Sequence, residues 1–375
     1  MSGFGPWLKR YLAGTDKVLI LACLTTAGYG LTILSGLAFN LYDNPRMFLV
    51  QSGAFVAGLI GALFISTFDY HTMADLWPFH AGLCWLLVLG TFVLGYQRPG
   101  TDDRAWYLFP GNIMFQPAEI AKISFIITFA YHLSRMDAEE INNFKNLVLL
   151  ILHGAAPVLI VHLQGDDGTA LVFASVFAAM IFAAGLRLRY IAAGFATLTV
   201  LAPLWFFFLL TPGKQQRILN IFFPENDLSG SGWQQYQGRI SIGSGGIFGK
   251  VLFNPNLREF SEIKNDFIFA FIGEALGLIG CLAVLFLIAF ICYRILVVGR
   301  IAQDRLGALI CVGFFMLITF QTLLNVGMCL SVMPVIGVTL PFFSTGGSSL
   351  LTTMLGMGVI LSVYRHNRET LFYSK

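Results

Sequence analysis

Five short stretches of this 375-residue chain place charged or small polar residues where chemistry could use them. In Phe115-Gln116-Pro117-Ala118-Glu119-Ile120-Ala121-Lys122, Pro117 suits the first turn of a helix, where its missing N–H costs little. Glu119 and Lys122 then stand at i and i+3 on one face, either as an interfacial ion pair or as a carboxylate and ammonium set for a substrate. Gln164-Gly165-Asp166-Asp167-Gly168 puts two carboxylates in a Gly-flanked turn, which connects two elements or binds a cation. Asp266 begins the apolar run Phe267-Ile268-Phe269-Ala270, as a helix N-cap or as a reactive carboxylate. Glu274 follows eight residues later, about 12 Å deeper along a helix, where it needs a partner such as Lys122 or a water-filled cavity. Leu340-Pro341-Phe342-Phe343-Ser344-Thr345-Gly346-Gly347-Ser348-Ser349 reads as the Pro-led start of a further helix.

The fifth stretch, Ile242-Gly243-Ser244-Gly245-Gly246-Ile247-Phe248-Gly249-Lys250, invites comparison with a phosphate loop. That loop needs Gly-x-x-x-x-Gly-Lys-Ser/Thr, but Ser244 stands at the first Gly and Val251 follows Lys250. A nucleotide site is rejected. What remains is a glycine-rich backbone with Lys250, able to approach an anionic head group, and Arg217 and Arg239 in the same loop.

These stretches lie in a chain that is 57% hydrophobic and only 11% charged. A soluble domain carries about 25% charged residues, so the chain is an integral membrane protein. The net charge of +3 gives no footing for nucleic acid. Cys23, Cys84, Cys281, Cys292, Cys311 and Cys329 sit in or beside apolar runs without ligand spacing, as small buried hydrophobes. The first apolar run, residues 18–39, is longer than a signal-peptide core and lacks a small-residue cleavage site, so it stays as an anchor.

A helix crosses the hydrocarbon core in about 20 apolar residues. That length predicts an all-α membrane protein of about ten spans. They cover residues 18–39, 47–66, 76–95, 117–134, 147–163, 168–185, 190–210, 267–293, 306–332 and 341–364. Two spans are drawn around Asp166 and Asp167 because a single helix would leave both in lipid. Residues 211–266 form one long polar loop between the seventh and eighth spans. Ten spans put both termini on one side, together with Lys9, Arg10, Lys17, Arg135, Lys145, Arg187, Arg189, Arg294, Arg300, Arg305, Arg365, Arg368 and Lys375. The opposite short loops carry only Arg46, Arg98 and Arg104. The positive-inside rule makes both termini cytoplasmic and the long loop extracytoplasmic. No internal repeat is visible, which counts against a secondary transporter.

Four of these stretches, in order, resemble motifs of the SEDS (shape, elongation, division and sporulation) family. The segment at 115–122 is similar to its FQPSEIAK motif, and Ile242-Gly243-Ser244-Gly245-Gly246 with Gly249-Lys250 to its IGSGG…GKG loop. Asn265-Asp266-Phe267-Ile268-Phe269 with Gly273-Glu274-Ala275-Leu276-Gly277 resembles HTDFIF…GEELG, and residues 340–349 resemble LPFISYGGSS. The chain departs from the pattern at Lys264-Asn265, at Gly165 and Asp167, at Ala105 and at Thr345.

The resemblance implies a bacterial plasma-membrane peptidoglycan glycosyltransferase that polymerises lipid II, with a class B penicillin-binding protein as partner. It maps the catalytic Asp onto Asp266. It places Gln116, Glu119, Lys122 and Asp166 among the polar site residues, and we add Arg217, Lys250, Glu274 and Ser344 as substrate-binding candidates. The attacking sugar hydroxyl needs a base, for which Asp266 is the candidate. The departing lipid pyrophosphate needs cations, from Lys122, Lys250, Arg217 or a divalent ion such as Mg or Mn held by Asp266 or Asp166. A lipid II flippase and a non-catalytic scaffold of the wall-synthesis complex are the alternatives. The clustering of polar residues toward one side favours the enzyme.

Overall fold

The computed structural model describes residues 11–97, 103–111, 113–223, 227 and 230–373. Ten long helices are present among them, one for each expected span. They are α1 (Lys17–Gly36), α2 (Pro45–Ile65), α3 (Trp77–Leu94), α4 (Pro117–Ser134), α5 (Phe144–Leu163), α6 (Asp167–Ala183), α7 (Leu188–Leu204), α10 (Ile268–Ile301), α11 (Arg305–Cys329) and α12 (Gly347–Tyr373). Wider π turns at Leu37–Leu41 and Trp205–Leu209 extend α1 and α7. A short antiparallel hairpin, β1 (Tyr107–Phe109) and β2 (Ile113–Phe115), leads into α4 with Leu108 opposite Met114. Eight of the ten helices are long and apolar enough to cross a membrane. The other two are α4, which carries Glu119 and Lys122, and α6, which has 17 residues.

Local chemistry explains several boundaries. Asp16 accepts from the N–H groups of Val18 and Leu19 and caps α1, while its other oxygen takes Arg294 of α10 at 2.6 Å. Pro117 begins α4, as its position predicts. Helices α5 and α6 are separate, and Asp166 caps α6. The last span starts at Gly347, not at Pro341. Ser344 and Thr345 are drawn into bonds with the carbonyls of Asn265 and Lys264, which hold residues 341–346 in turns.

Loops gather at two ends. At one end Arg305 bonds the carbonyls of Met136 and Ala184, His71 meets Asp304, and Gln303 bonds Asn367. At the other end Arg46 reaches Gly111, Asn40 bonds Asn254, and the Arg104 N–H bonds Gln164. The first end carries the Arg and Lys residues of the expected cytoplasmic side. Lys9, Arg10 and Lys375 of that expectation lie outside the described residues, as do Arg98 of the opposite side and the side chain of Arg368.

Helix α4 is the centre of the bundle, packed against α3, α5, α6, α11 and α12. Beneath its first turns Phe125 stacks on Phe129 at 5.4 Å and meets Phe173 of α6 edge-on at 5.5 Å. Helix α7 is the opposite case, with no buried residue along its length.

Residues 211–266 are not a plain loop. They hold α8 (Pro212–Leu219) and α9 (Ser231–Gly245), and α9 packs along α10. Helix α10 breaks at Gly277, whose φ of 68° suits glycine, about 14 Å from the helix start. A break at such depth needs partners for the freed backbone groups. The turn after α9 supplies them. Leu278 and Ile279 donate to the carbonyls of Gly246 and Ile247 at 2.9 and 3.2 Å, and the Lys250 N–H donates to the Glu274 carbonyl at 2.9 Å. The α9 turn therefore packs beside the break, and Phe248 is 79% exposed there. The expectation of a flexible loop with exposed N–H groups is corrected, because Gly249 and Lys250 both donate within the protein.

Gly277→Ala would force positive φ on a residue with a side chain and drive its Cβ toward Gly249 and Ile247. A destabilisation of about 2 kcal/mol or more is expected. Thermal unfolding in detergent should show a clear drop in midpoint, and an unchanged midpoint would contradict the account of the break.

Candidate active site

Glu119 and Lys122 occupy the first turn and a half of α4 and bond each other at 2.7 Å. Both are buried, with Lys122 only 3% exposed. The second Glu119 oxygen accepts from Thr352 of α12 at 3.2 Å. A buried ion pair needs such further hydrogen bonds to offset its desolvation. One residue before α4, the Gln116 amide bonds Asp166. Asp166 also accepts the Thr169 N–H at 2.9 Å. Burial pushes the Asp166 carboxyl up to about 6, helped by the nearby Asp103 charge and opposed by the Thr169 bonds and by Lys122.

Asp266 precedes α10 without capping it; the N-cap position belongs to Phe267, which makes no side-chain cap bond. The Asp266 carbonyl accepts from the Asn325 amide at 2.8 Å and faces the Cys329 thiol at 3.7 Å. A Cβ on Gly337 would stand 3.6 Å from Asp266 Oδ2. A Cβ on Gly168 would collide with the Ile336 carbonyl and come within 2.7 Å of Val338. Residues 336–338 thus run between the Asp166-capped start of α6 and Asp266. This stretch is the contact that the two carboxylate-bearing segments share.

Glu274 is fully buried. Its partner is Lys250, at 2.7 Å, not Lys122 as the sequence suggested. The Arg258 N–H and side chain and the Ser244 hydroxyl add contacts at 3.2, 3.9 and 3.4 Å. Lys122 cannot serve, because Glu119 already holds it one turn away on its own helix. Ser344, also buried, donates to the Asn265 carbonyl at 2.7 Å and accepts the Leu340 N–H at 2.7 Å. Its role here is to hold the turn that carries Asp266. Arg217 is exposed on α8. Lys214 of the same helix bonds Asp167 at 2.6 Å, which ties α8 to the Asp166 turn. Thr345 bonds Asn265 and the Lys264 carbonyl.

Thr352, Asn325 and Arg258 are partners that the sequence reading missed. Thr352 lies one turn beyond Ser348-Ser349, so its face was readable. Nothing local marks Asn325 or Arg258, because each acts across a long sequence separation. Among the described residues no three His, Cys, Asp or Glu side chains form a group that could hold a metal ion.

Comparison with known proteins gives the family and the fold. A family model for cell cycle proteins of the FtsW, RodA and SpoVE type matches residues 17–369. The chain is 29% identical to the peptidoglycan glycosyltransferase MrdB of Escherichia coli K12 over 96% of each chain. It is 32% identical to a probable peptidoglycan glycosyltransferase FtsW of Geobacter metallireducens over 97% of each. It is 31% identical to stage V sporulation protein E of Bacillus subtilis, covering 87% of this chain and 89% of that one. A solved chain of a peptidoglycan synthase complex that coordinates polymerization and crosslinking superposes with a TM-score of 0.82 at 27% identity, over 94% of this chain and 98% of that one. The rod shape determining protein RodA of Thermus thermophilus gives 0.70 at 27%, over 94% and 97%.

Removing one member of the Glu119–Lys122 pair leaves a buried charge. Lys122→Met and Glu119→Gln are each expected to be inactive, and Lys122→Met to lose about 3 kcal/mol or more of stability. The double variant should unfold at a higher temperature than Lys122→Met alone. A double variant that melts below both single variants would contradict the pairing.

Proposed function

The chain belongs to the FtsW, RodA and SpoVE family of cell cycle proteins, and from that premise we infer how it works as a peptidoglycan glycosyltransferase. Its substrate is lipid II, and its product is a growing glycan strand. The reaction joins a sugar hydroxyl to the anomeric carbon that carries the lipid pyrophosphate. The donor is already activated, so no ATP enters, in keeping with the rejected phosphate loop.

The single observation that carries this reading is the position of Asp266. Its main chain is fixed by Asn325 and by the neighbouring turn, while its carboxylate lies beside Gly337, where an added Cβ would meet Asp266 Oδ2 at 3.6 Å. A carboxylate so placed can accept the proton of the attacking hydroxyl as the new bond forms. The leaving pyrophosphate gains charge and is met by cations. Lys250 is half-buried beside Glu274, and Arg217 stands exposed on α8. Lys122, held by Glu119, sets the field around Asp166 instead of binding phosphate directly.

A divalent ion, Mg or Mn, would have to take most of its ligands from the substrate phosphates and water, with Asp166 or Asp266 adding a carboxylate. Such an ion would offset the charge of the pyrophosphate, and no step above depends on it. The lipid tail of the substrate needs an opening toward the bilayer. Helix α7, which buries no residue along its length, is the side on which this reading puts that opening.

The bias of positive residues toward one set of loops supports both termini in the cytoplasm of a bacterium and Asp266 at the outer face of its plasma membrane. A class B penicillin-binding protein, the transpeptidase that cross-links the new strands, is the partner. The likeness to a chain of a peptidoglycan synthase complex supports that pairing.

Purified protein with its partner, given labelled lipid II, should build glycan chains resolved on a gel. Asp266→Asn should abolish them while insertion and partner binding persist. Chains of normal yield from the Asn variant would remove Asp266 as the base. Lipid II confined to the far face of a vesicle should yield no chains, whereas a flippase would move it across and a scaffold would do neither.

A further inference from the structure

Asn325 lies at the outer end of α11 and is fully buried. Its amide nitrogen donates to two carbonyls at once: Asp266 at 2.8 Å and Val338 at 2.7 Å. An amide NH2 has two hydrogens, and both are used. The alternative orientation would turn the amide oxygen onto two carbonyl oxygens, so the nitrogen must face them. Val338 belongs to the stretch 336–338 that separates Asp266 from the start of α6. Its neighbour Gly337, at φ 68°, is the residue that faces the Asp266 carboxylate.

One side chain therefore ties the main chain of Asp266 to the wall opposite its carboxylate. Residues 261–267 are a run of turns, and residues 331–346 are irregular chain between α11 and α12. Neither has a helical ladder to fix it, so the distance between Asp266 and Gly337 is set by cross-links. Ser344 and Thr345 supply links on the Lys264-Asn265 side. At Asp266 itself the links come from the rigid helix α11: the Cys329 thiol at 3.7 Å and the shorter bond of Asn325, which alone of the two also holds Val338.

We propose that Asn325 is a positioning residue for Asp266: it sets where the carboxylate stands against the Gly337 stretch, and with it the direction from which the acceptor hydroxyl can reach it. The proposal rests on the assignment of Asp266 as base. Asn325 touches no reacting atom. Its effect is on how often the carboxylate and hydroxyl meet in a productive geometry, so it acts on turnover more than on lipid II binding. A displacement of about 1 Å at such a site is enough to cost about a hundredfold in rate.

Asn325→Leu keeps the volume and removes both donors. Asn325→Asp keeps the shape and turns two acceptor oxygens on the carbonyls, and it serves if the leucine variant does not insert. Each is measured in the complex with the partner, beside Asp266→Asn, with kcat, KM and the stoichiometry of labelled lipid II bound at saturation. The expected result is a fall in kcat of about tenfold or more, with KM and binding stoichiometry within about threefold of wild type. A merely structural role would lower kcat and bound lipid II by the same factor, and that outcome overturns the proposal. So does kcat within about twofold of wild type while Asp266→Asn is inactive. If Asp266→Asn itself polymerises normally, the base assignment has failed, and the positioning role falls with it.

Discussion

The buried carboxylate of Glu274 is the interaction on which the rest of the site depends. A charge at that depth is tolerable only with a partner and hydrogen bonds around it. Lys250, Arg258 and Ser244 provide them from a segment far along the chain. In doing so they draw the turn after α9 against α10. The same turn satisfies the backbone that the Gly277 break exposes. One carboxylate thus fixes α9, permits the break in α10, and holds the chain on course toward Asp266.

A second constraint shapes the opposite wall. Glu119 and Lys122 neutralise each other within one helix, so α4 can stand at the centre of the bundle. Thr352 takes the remaining Glu119 oxygen and ties α12 to α4. Asp166 joins this wall through Gln116. The two walls meet along residues 336–338, where glycines at 168 and 337 let the chains approach. The site is a seam between two charge-compensated blocks, and a seam can open to a large substrate without exposing either block.

Local signals in the sequence carried much of this. Pro117 marked the start of α4, and the i, i+3 spacing marked Glu119 and Lys122 as partners. Asp166-Asp167 marked a break between two helices, because two charges cannot be left in lipid. What could not be read was long-range pairing. Lys122 looked a suitable partner for Glu274, since charge alone does not encode distance, and Lys250 takes that place. Pro341 looked like a helix start, but bonds from Ser344 and Thr345 to a turn about eighty residues away outweigh its local preference. Helix α9, built from Ser, Gly and Gln with few apolar residues, offers no periodic stripe and is formed by packing on α10.

The central claim is that Asp266 receives the proton of the attacking sugar hydroxyl. A structure of the protein with an unreactive lipid II analogue and a glycan acceptor tests it directly. The account predicts the acceptor hydroxyl within about 2.6–3.2 Å of the Asp266 carboxylate, with the pyrophosphate toward Arg217 and Lys250. An acceptor hydroxyl held instead by Asp166 or Glu119, with Asp266 remote from both sugars, would contradict it.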